Sequence, residues 1–135
     1  MVDPCFTTAR EVLESDTGVL LAYVFGSAAR GEAHPDSDLD VAVLASSELD
    51  LEARSRLSES IARACGHSRR VDVVDLRSAP PVLAREVVRD GVILVERDPL
   101  VRFDFEMDAI RRFEDTRYLR RVQQDLLREA ARGGS

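Results

Sequence analysis

The sequence predicts an α/β domain. Three observations predict it. Four short apolar runs are each bounded by turn residues or charge, stretches with helical periodicity lie between them, and 135 residues with 44% apolar content can bury one core without staples. Residues 5–15, CFTTAREVLES, place apolar side chains at 5/6, 9 and 12/13, a helical spacing that Gly18 is expected to end. LLAYVF (20–25) is continuous, aromatic and partly β-branched, so it reads as a strand buried on both faces. The connection GSAARGEAHPDS (26–37) has room for a single helical turn starting near Ser27. LDVAVLA (39–45) is a second apolar strand. The next stretch, 46–65, reads as a helix capped by Ser47, with Leu49, Leu57, Ile61 and Ala64 on one face.

RRVDVVDL (69–76) is a valine-rich third strand. PPVLAREVVRDG (80–91) opens on proline and closes on glycine, the polarity of a helix. VILVE (92–96) is a short fourth strand. From Pro99 the pattern is helical to about Ala131, with a break expected at Asp115-Thr116, where a new cap can form. Residues 1–131 are thus expected to form one domain and 132–135 a disordered tail.

Composition removes several functions. The net charge of −6 argues against a dedicated nucleic-acid binder, because phosphate neutralisation needs surplus positive charge. All 19 basic residues are arginine, which excludes a P-loop lysine and Schiff-base chemistry. Cys5 and Cys65 match no ligand spacing and read as two reduced thiols. The longest apolar run, VLLAYVF, is too short to cross a bilayer, and MVDPCF has no signal-peptide pattern. A cytoplasmic protein without membrane contact is expected.

The chemistry concentrates in residues 26–40, GSAARGEAHPDSDLD. Gly26 and Ser27 sit where a strand gives way to a turn. Glycine admits close approach of a ligand to the backbone, and unpaired N–H groups with the Ser27 hydroxyl suit phosphate oxygens. Asp38 and Asp40 head the next strand. Residues two apart on a strand share a face, about 6.6 Å apart, and two converging carboxylates repel unless a cation or water intervenes. Magnesium takes oxygen ligands of this type. Asp72 lies among valines in the third strand, where a buried carboxylate is costly unless paired. Asp75 faces the other way and stands nearer the strand end, so Asp72 is the preferred third carboxylate. Ser27 has no convincing histidine partner, since His34 shares its loop and His67 ends a helix; a serine nucleophile is not indicated. Arg30 reads either as a phosphate contact or as an ion-pair partner of Glu32 or Asp36, and Tyr23 as core.

Gly-Ser, ten residues, then Asp-x-Asp arises by chance in on the order of one chain in 500 of this length. It is the signature of the nucleotidyltransferase superfamily related to DNA polymerase β. With VDVVDL, LAREVVRDGVILVERD and RFDFEMDAIRRFEDTRYLRR, nearly the whole chain resembles the minimal nucleotidyltransferase (MNT) antitoxins of HEPN/MNT toxin–antitoxin systems. The resemblance implies a nucleotidyltransferase fold, a small mixed β-sheet flanked by helices with a helical C-terminal segment. It implies that Gly26 and Ser27 hold the nucleotide triphosphate. It further implies that Asp38 and Asp40 bind two Mg²⁺ ions, and that Asp72 contacts the catalytic metal and serves as base. The implied activity is transfer of AMP from ATP to a tyrosine of a cognate HEPN toxin. The implied partners are that toxin and ATP, with a homo- or hetero-oligomer compatible with the charged helices.

Two rivals stand beside this reading. One is an antitoxin that neutralises by binding alone, against which the full set of Gly-Ser and three aspartates argues. The other is a small-molecule nucleotidyltransferase, against which the lack of an evident second substrate domain argues. In the C-terminal segment, Phe103, Met107, Ile110 and Phe113 share one helical face and Leu119, Val122 and Leu126 another, and most of these are expected in the core. Arg111, Arg112, Arg117, Arg120, Arg121 and Arg128 alternate with acids around them, as a solvated face or a docking face does.

Overall fold

A computed structural model describes residues 4–31 and 37–133. The chain runs α1 (Pro4–Glu14), β1 (Val19–Phe25), β2 (Leu39–Ala45), α2 (Leu51–Ala64), β3 (Val71–Asp75), α3 (Pro81–Asp90), β4 (Val92–Glu96) and α4 (Pro99–Gly133). The four strands form one mixed sheet in the order β3-β2-β1-β4. β1 is antiparallel to both β2 and β4, while β2 and β3 are parallel. The expected α/β architecture with a small mixed sheet is therefore the one observed.

The sheet is covered on both faces, which is why its inner strands read as continuous apolar runs rather than as alternation. On one face Phe6, Ala9 and Leu13 of α1 and Leu57 and Ile61 of α2 pack on Val24, Val41 and Val43. On the other, Ala84 and Val87 of α3 and Ala109 of α4 pack on Leu21, Tyr23, Phe25 and Ala42. Tyr23, expected in the core, is buried there, and its hydroxyl donates to Glu106 Oε1 at 2.8 Å, tying β1 to α4. Burial and the neighbouring Glu106 carboxylate push the phenol well above its ordinary pKa. Cys5 and Cys65 are not joined in a disulfide.

Two helix details differ from expectation. Asp50, not Ser47, caps α2, accepting from the Ala53 amide at 2.7 Å. The reason is upstream: the Leu49 amide donates to Asp75 Oδ2 at 3.0 Å, which holds residues 46–49 as a loop, so Leu49 lies outside the helix; Ala64, the last residue of α2, is exposed. Gly91 ends α3 as expected, in an extended conformation with φ −69°. A side chain there would run into the Val87 carbonyl and the Tyr23 ring.

The second difference is in α4, which has no break at Asp115-Thr116 and extends about 52 Å as one helix. Thr116 does not start a new cap because its hydroxyl bonds back to the Arg112 carbonyl at 2.9 Å, within the same helix. Its expected apolar faces are largely solvent-exposed: Phe103, Met107, Ile110, Leu119, Val122 and Leu126 are all exposed. Only the first half of α4 reaches the sheet, through Phe105 and Ala109, so residues beyond 116 have no core to enter. Phe113 instead carries two guanidinium groups on its ring, Arg85 at 4.7 Å and Arg120 at 5.7 Å from the centroid. Of the expected tail, 132 and 133 are the last residues of α4, and 134–135 lie outside the described residues. No helix among the described residues is long and apolar enough to cross a membrane.

Candidate active site

β1 ends at Phe25, and the chain turns at once. Gly26 has φ +74°, a left-handed conformation that glycine adopts without penalty. The Arg30 amide then donates to the Gly26 carbonyl and the Gly31 amide to that of Ala28, both at 3.3 Å. This is the single helical turn expected after Gly26, and Gly31, at φ +72°, closes it. Glu32, His34 and Asp36 lie outside the described residues.

The chain returns as β2, and register places Asp40 opposite Phe25, beside the turn. A Cβ on Gly26 would stand 2.7 Å from Asp40 Oδ2. The glycine thus answers two demands, the positive φ and the space for a carboxylate. Asp38 precedes β2 and is exposed.

In the parallel pairing of β2 with β3, Asp40 is the register partner of Asp72. Adjacent strands stand about 4.8 Å apart and side chains at paired positions share a face. Both aspartates lie on the α3/α4 side, as Ala42 and Val74, two residues along each strand, pack into that core. The structure so brings together Gly26, Asp40 and Asp72, with Asp38 at the edge. Burial and the negative charges of Asp72, Asp38 and Glu86 together push the Asp40 carboxyl above the usual carboxylate range. Asp72 is half-exposed and pairs with the exposed Arg70 guanidinium at 3.3 Å.

Asp75 has a different task. It lies on the opposite face, 3% exposed, and accepts hydrogen bonds from the Leu49 and Arg77 amides, each at 3.0 Å. Both oxygens are engaged in holding the α2 approach and the end of β3. Asp75→Ala is expected to lower stability by about 2–4 kcal/mol in a denaturant titration, because two hydrogen bonds to a charged acceptor are lost and both amides are left unsatisfied. Asp72→Asn is expected to leave the midpoint within about 0.5 kcal/mol, since it removes one exposed ion pair.

Glu86 of α3 was not singled out by the sequence. Its carboxylate is 3.8 Å from Arg30 Nη1 and adds to the negative field at Asp40. Arg30 therefore has an ion-pair partner on α3. On an amphipathic helix 46 residues beyond Asp40 in the chain, nothing marks such a residue before the fold does.

A metal fits this corner on the chemistry of its donors. All are carboxylate oxygens, the donor set of hard divalent cations, and burial together with the charges of Asp72, Asp38 and Glu86 raises the pKa of Asp40. Among the described residues no three acidic, histidine or cysteine side chains are drawn into a ready-made ligand cluster. Like-charged carboxylates separate unless a cation lies between them.

A mixed four-stranded sheet with a glycine turn at the end of one strand and paired aspartates on the next two is a nucleotidyltransferase arrangement. Residues 8–100 match the family described as "Polymerase beta, Nucleotidyltransferase", and the chain belongs to that family. Among individual proteins, it is 48% identical over 71 residues to the protein adenylyltransferase MntA of Shewanella oneidensis, a match covering 53% of this chain and 50% of that one. The matched part thus spans half the length of this curated relative. Two solved structures are similar over nearly the whole chain. One is a toxin–antitoxin crystal structure with AMP-PNP, at 32% identity, 93% of this chain, 98% of the matched chain and a TM-score of 0.71. The other is a tri-AMPylated Shewanella oneidensis HEPN toxin in complex with MNT antitoxin, at 30% identity, 94% and 98% coverage and a TM-score of 0.74.

Proposed function

We propose that this chain is the antitoxin protein adenylyltransferase of a toxin–antitoxin pair, transferring AMP from ATP to a tyrosine of a cognate HEPN toxin. The observation that carries the proposal is the pairing of Asp40 with Asp72 on adjacent parallel strands, directly beside the Gly26 turn. The similarity to the MntA adenylyltransferase and to antitoxin complexes with AMP-PNP and with an AMPylated HEPN toxin supports the nucleotide and the acceptor class.

In this reading Gly26 and Ser27 seat the triphosphate. Gly26 lets the backbone come close, and Ser27, half-buried at the head of the turn, contributes a hydroxyl. Arg30, on the far side of the same turn, adds positive charge near the departing pyrophosphate. Asp38, Asp40 and Asp72 are the ligands for two Mg²⁺ ions, which when bound supply charge neutralisation at the α-phosphorus and lower the acceptor hydroxyl's pKa. Asp72 takes the acceptor proton in this reading, since it is half-exposed and its ion pair with the surface guanidinium of Arg70 can be given up at little cost. Chain residues act by positioning and electrostatics, and no covalent nucleophile is needed.

The test is transfer of label from α-labelled ATP to the cognate HEPN toxin, read by autoradiography and mass spectrometry. Label on a toxin tyrosine, abolished by EDTA and restored by Mg²⁺, is the expected result. Toxin neutralised without any label would overturn the enzymatic reading in favour of binding alone.

A further inference from the structure

We propose that Arg69 is a positioning residue for the carboxylate group: it fixes the backbone from which Asp38 and Asp40 project. The inference rests on reading Asp38, Asp40 and Asp72 as the metal-binding carboxylates.

Arg69 is 5% exposed, and it shares burial among polar or charged side chains only with Asp75 among the described residues. A buried guanidinium is costly unless its N–H groups are engaged. Its Nε donates to the Ser37 carbonyl at 2.7 Å, one residue before Asp38. The next residue of the same segment closes the other side, because the Leu39 amide donates to the Arg70 carbonyl at 2.8 Å. Asp38 is therefore held between two hydrogen bonds that both come from residues 69–70. The same segment runs directly into β3, where Asp72 pairs with Asp40. One short stretch thus sets the backbone of Asp38, the start of β2 and the position of Asp72. An apolar side chain would fill the space but leave the Ser37 carbonyl without this donor.

A second arginine provides an internal control. Arg77 Nε donates to the Ala45 carbonyl, also at 2.7 Å, at the opposite end of the same strand. If arginine-to-carbonyl bonds along β2 only stabilise the sheet, the two are equivalent. If Arg69 positions the carboxylates, they are not.

The experiment compares Arg69→Met, Arg69→Lys and Arg77→Met in the full chain. Mn²⁺ binding is followed by electron paramagnetic resonance, alongside thermal melting and AMP transfer to the HEPN partner. Arg69→Met is expected to weaken Mn²⁺ binding at least about tenfold, the range seen when a residue orienting metal ligands is removed. Transfer should lose kcat, with the KM for ATP at saturating metal changed less than about twofold. Arg69→Lys, which keeps the charge but not the planar fork, is expected to fall between the two, about threefold weaker. Arg77→Met should lower the melting temperature and leave Mn²⁺ binding unchanged. Equal Mn²⁺ affinity in Arg69→Met and wild type, or equal weakening in Arg69→Met and Arg77→Met, overturns the proposal. Should Arg69→Met not fold, an unchanged affinity in Arg69→Lys overturns it instead. The reading beneath it fails separately, and takes the proposal with it, if wild type and Asp40→Asn bind Mn²⁺ alike.

Discussion

Asp40→Asn is expected to reduce AMP transfer by about a thousandfold or more while leaving the metal-free protein as stable as wild type, or more so. The two halves have one cause. Asp40 carries the side chain on which the field of the site converges, with Asp72 beside it in register, Asp38 two residues before it and Glu86 across from it. A carboxylate there is desolvated by burial and repelled by its neighbours in the folded state, and neither holds in the unfolded chain. Its pKa is raised by folding, so the native state holds the proton more tightly. Linkage then makes stability fall as pH rises from the unfolded value through the folded one, and above that window the penalty stays constant. Asparagine removes the penalty at neutral pH. It also removes a charge that a divalent cation needs, and metal stabilisation of a transferring phosphoryl group is worth several kcal/mol, hence the thousandfold. Melting curves in EDTA and single-turnover transfer assays measure the two halves. A variant that melts well below wild type yet transfers AMP normally would contradict both.

Gly26→Ala is expected to harm fold and chemistry together. Any Cβ at φ +74° costs about 1–2 kcal/mol. This one also stands 2.7 Å from Asp40 Oδ2, so the carboxylate must move. The expected loss is about 2–3 kcal/mol of stability and at least about tenfold in transfer. Gly31 separates the contributions. It has nearly the same backbone conformation, φ +72°, but a Cβ there meets nothing within 4 Å. Gly31→Ala should therefore show the backbone cost in denaturant titrations without displacing Asp40. Equal loss of transfer in the two variants would show that contact with Asp40 is not what Gly26 avoids.

Among the candidate site residues, Asp40 and Asp72 stood out because their charge conflicts with their surroundings, and Gly26, Ser27 and Asp38 because of the Gly-Ser and Asp-x-Asp spacing. Asp40 opens into VAVL and Asp72 stands among valines, and a charge inside an apolar strand calls for a partner. The preference for Asp72 over Asp75 rested on Asp75 standing nearer the strand end, where solvent could satisfy it; the structure instead buries Asp75, 3% exposed, on the opposite face, and two backbone amides rather than water engage its oxygens. Arg69 and Glu86 carried no such mark. An arginine at the start of a strand and a glutamate on a helix are ordinary surface residues until the chain is folded around them.

What fails to follow from local pattern is most visible in α4. Apolar residues at helical spacing from Phe103 to Leu126 predict a buried stripe, yet periodicity records only that a face is apolar and not what lies opposite it. The helix is longer than the sheet it packs on, so its second half projects beyond any core. Likewise, Ser47 and Thr116 have the chemistry of caps, but Asp75 holds the chain before Asp50, and Thr116 bonds within an unbroken helix.

By itself, then, the sequence determined the strands, the helices and the family of chemistry, because hydrophobic period and the spacing of Gly-Ser and Asp-x-Asp are properties of the chain alone. Only the tertiary structure decided which side chains meet: Asp40 with Asp72, Gly26 with Asp40, Arg69 with the Ser37 carbonyl. Those contacts join residues from 14 to 32 positions apart in the chain. Strand order and register bring them together, and no local propensity carries that information.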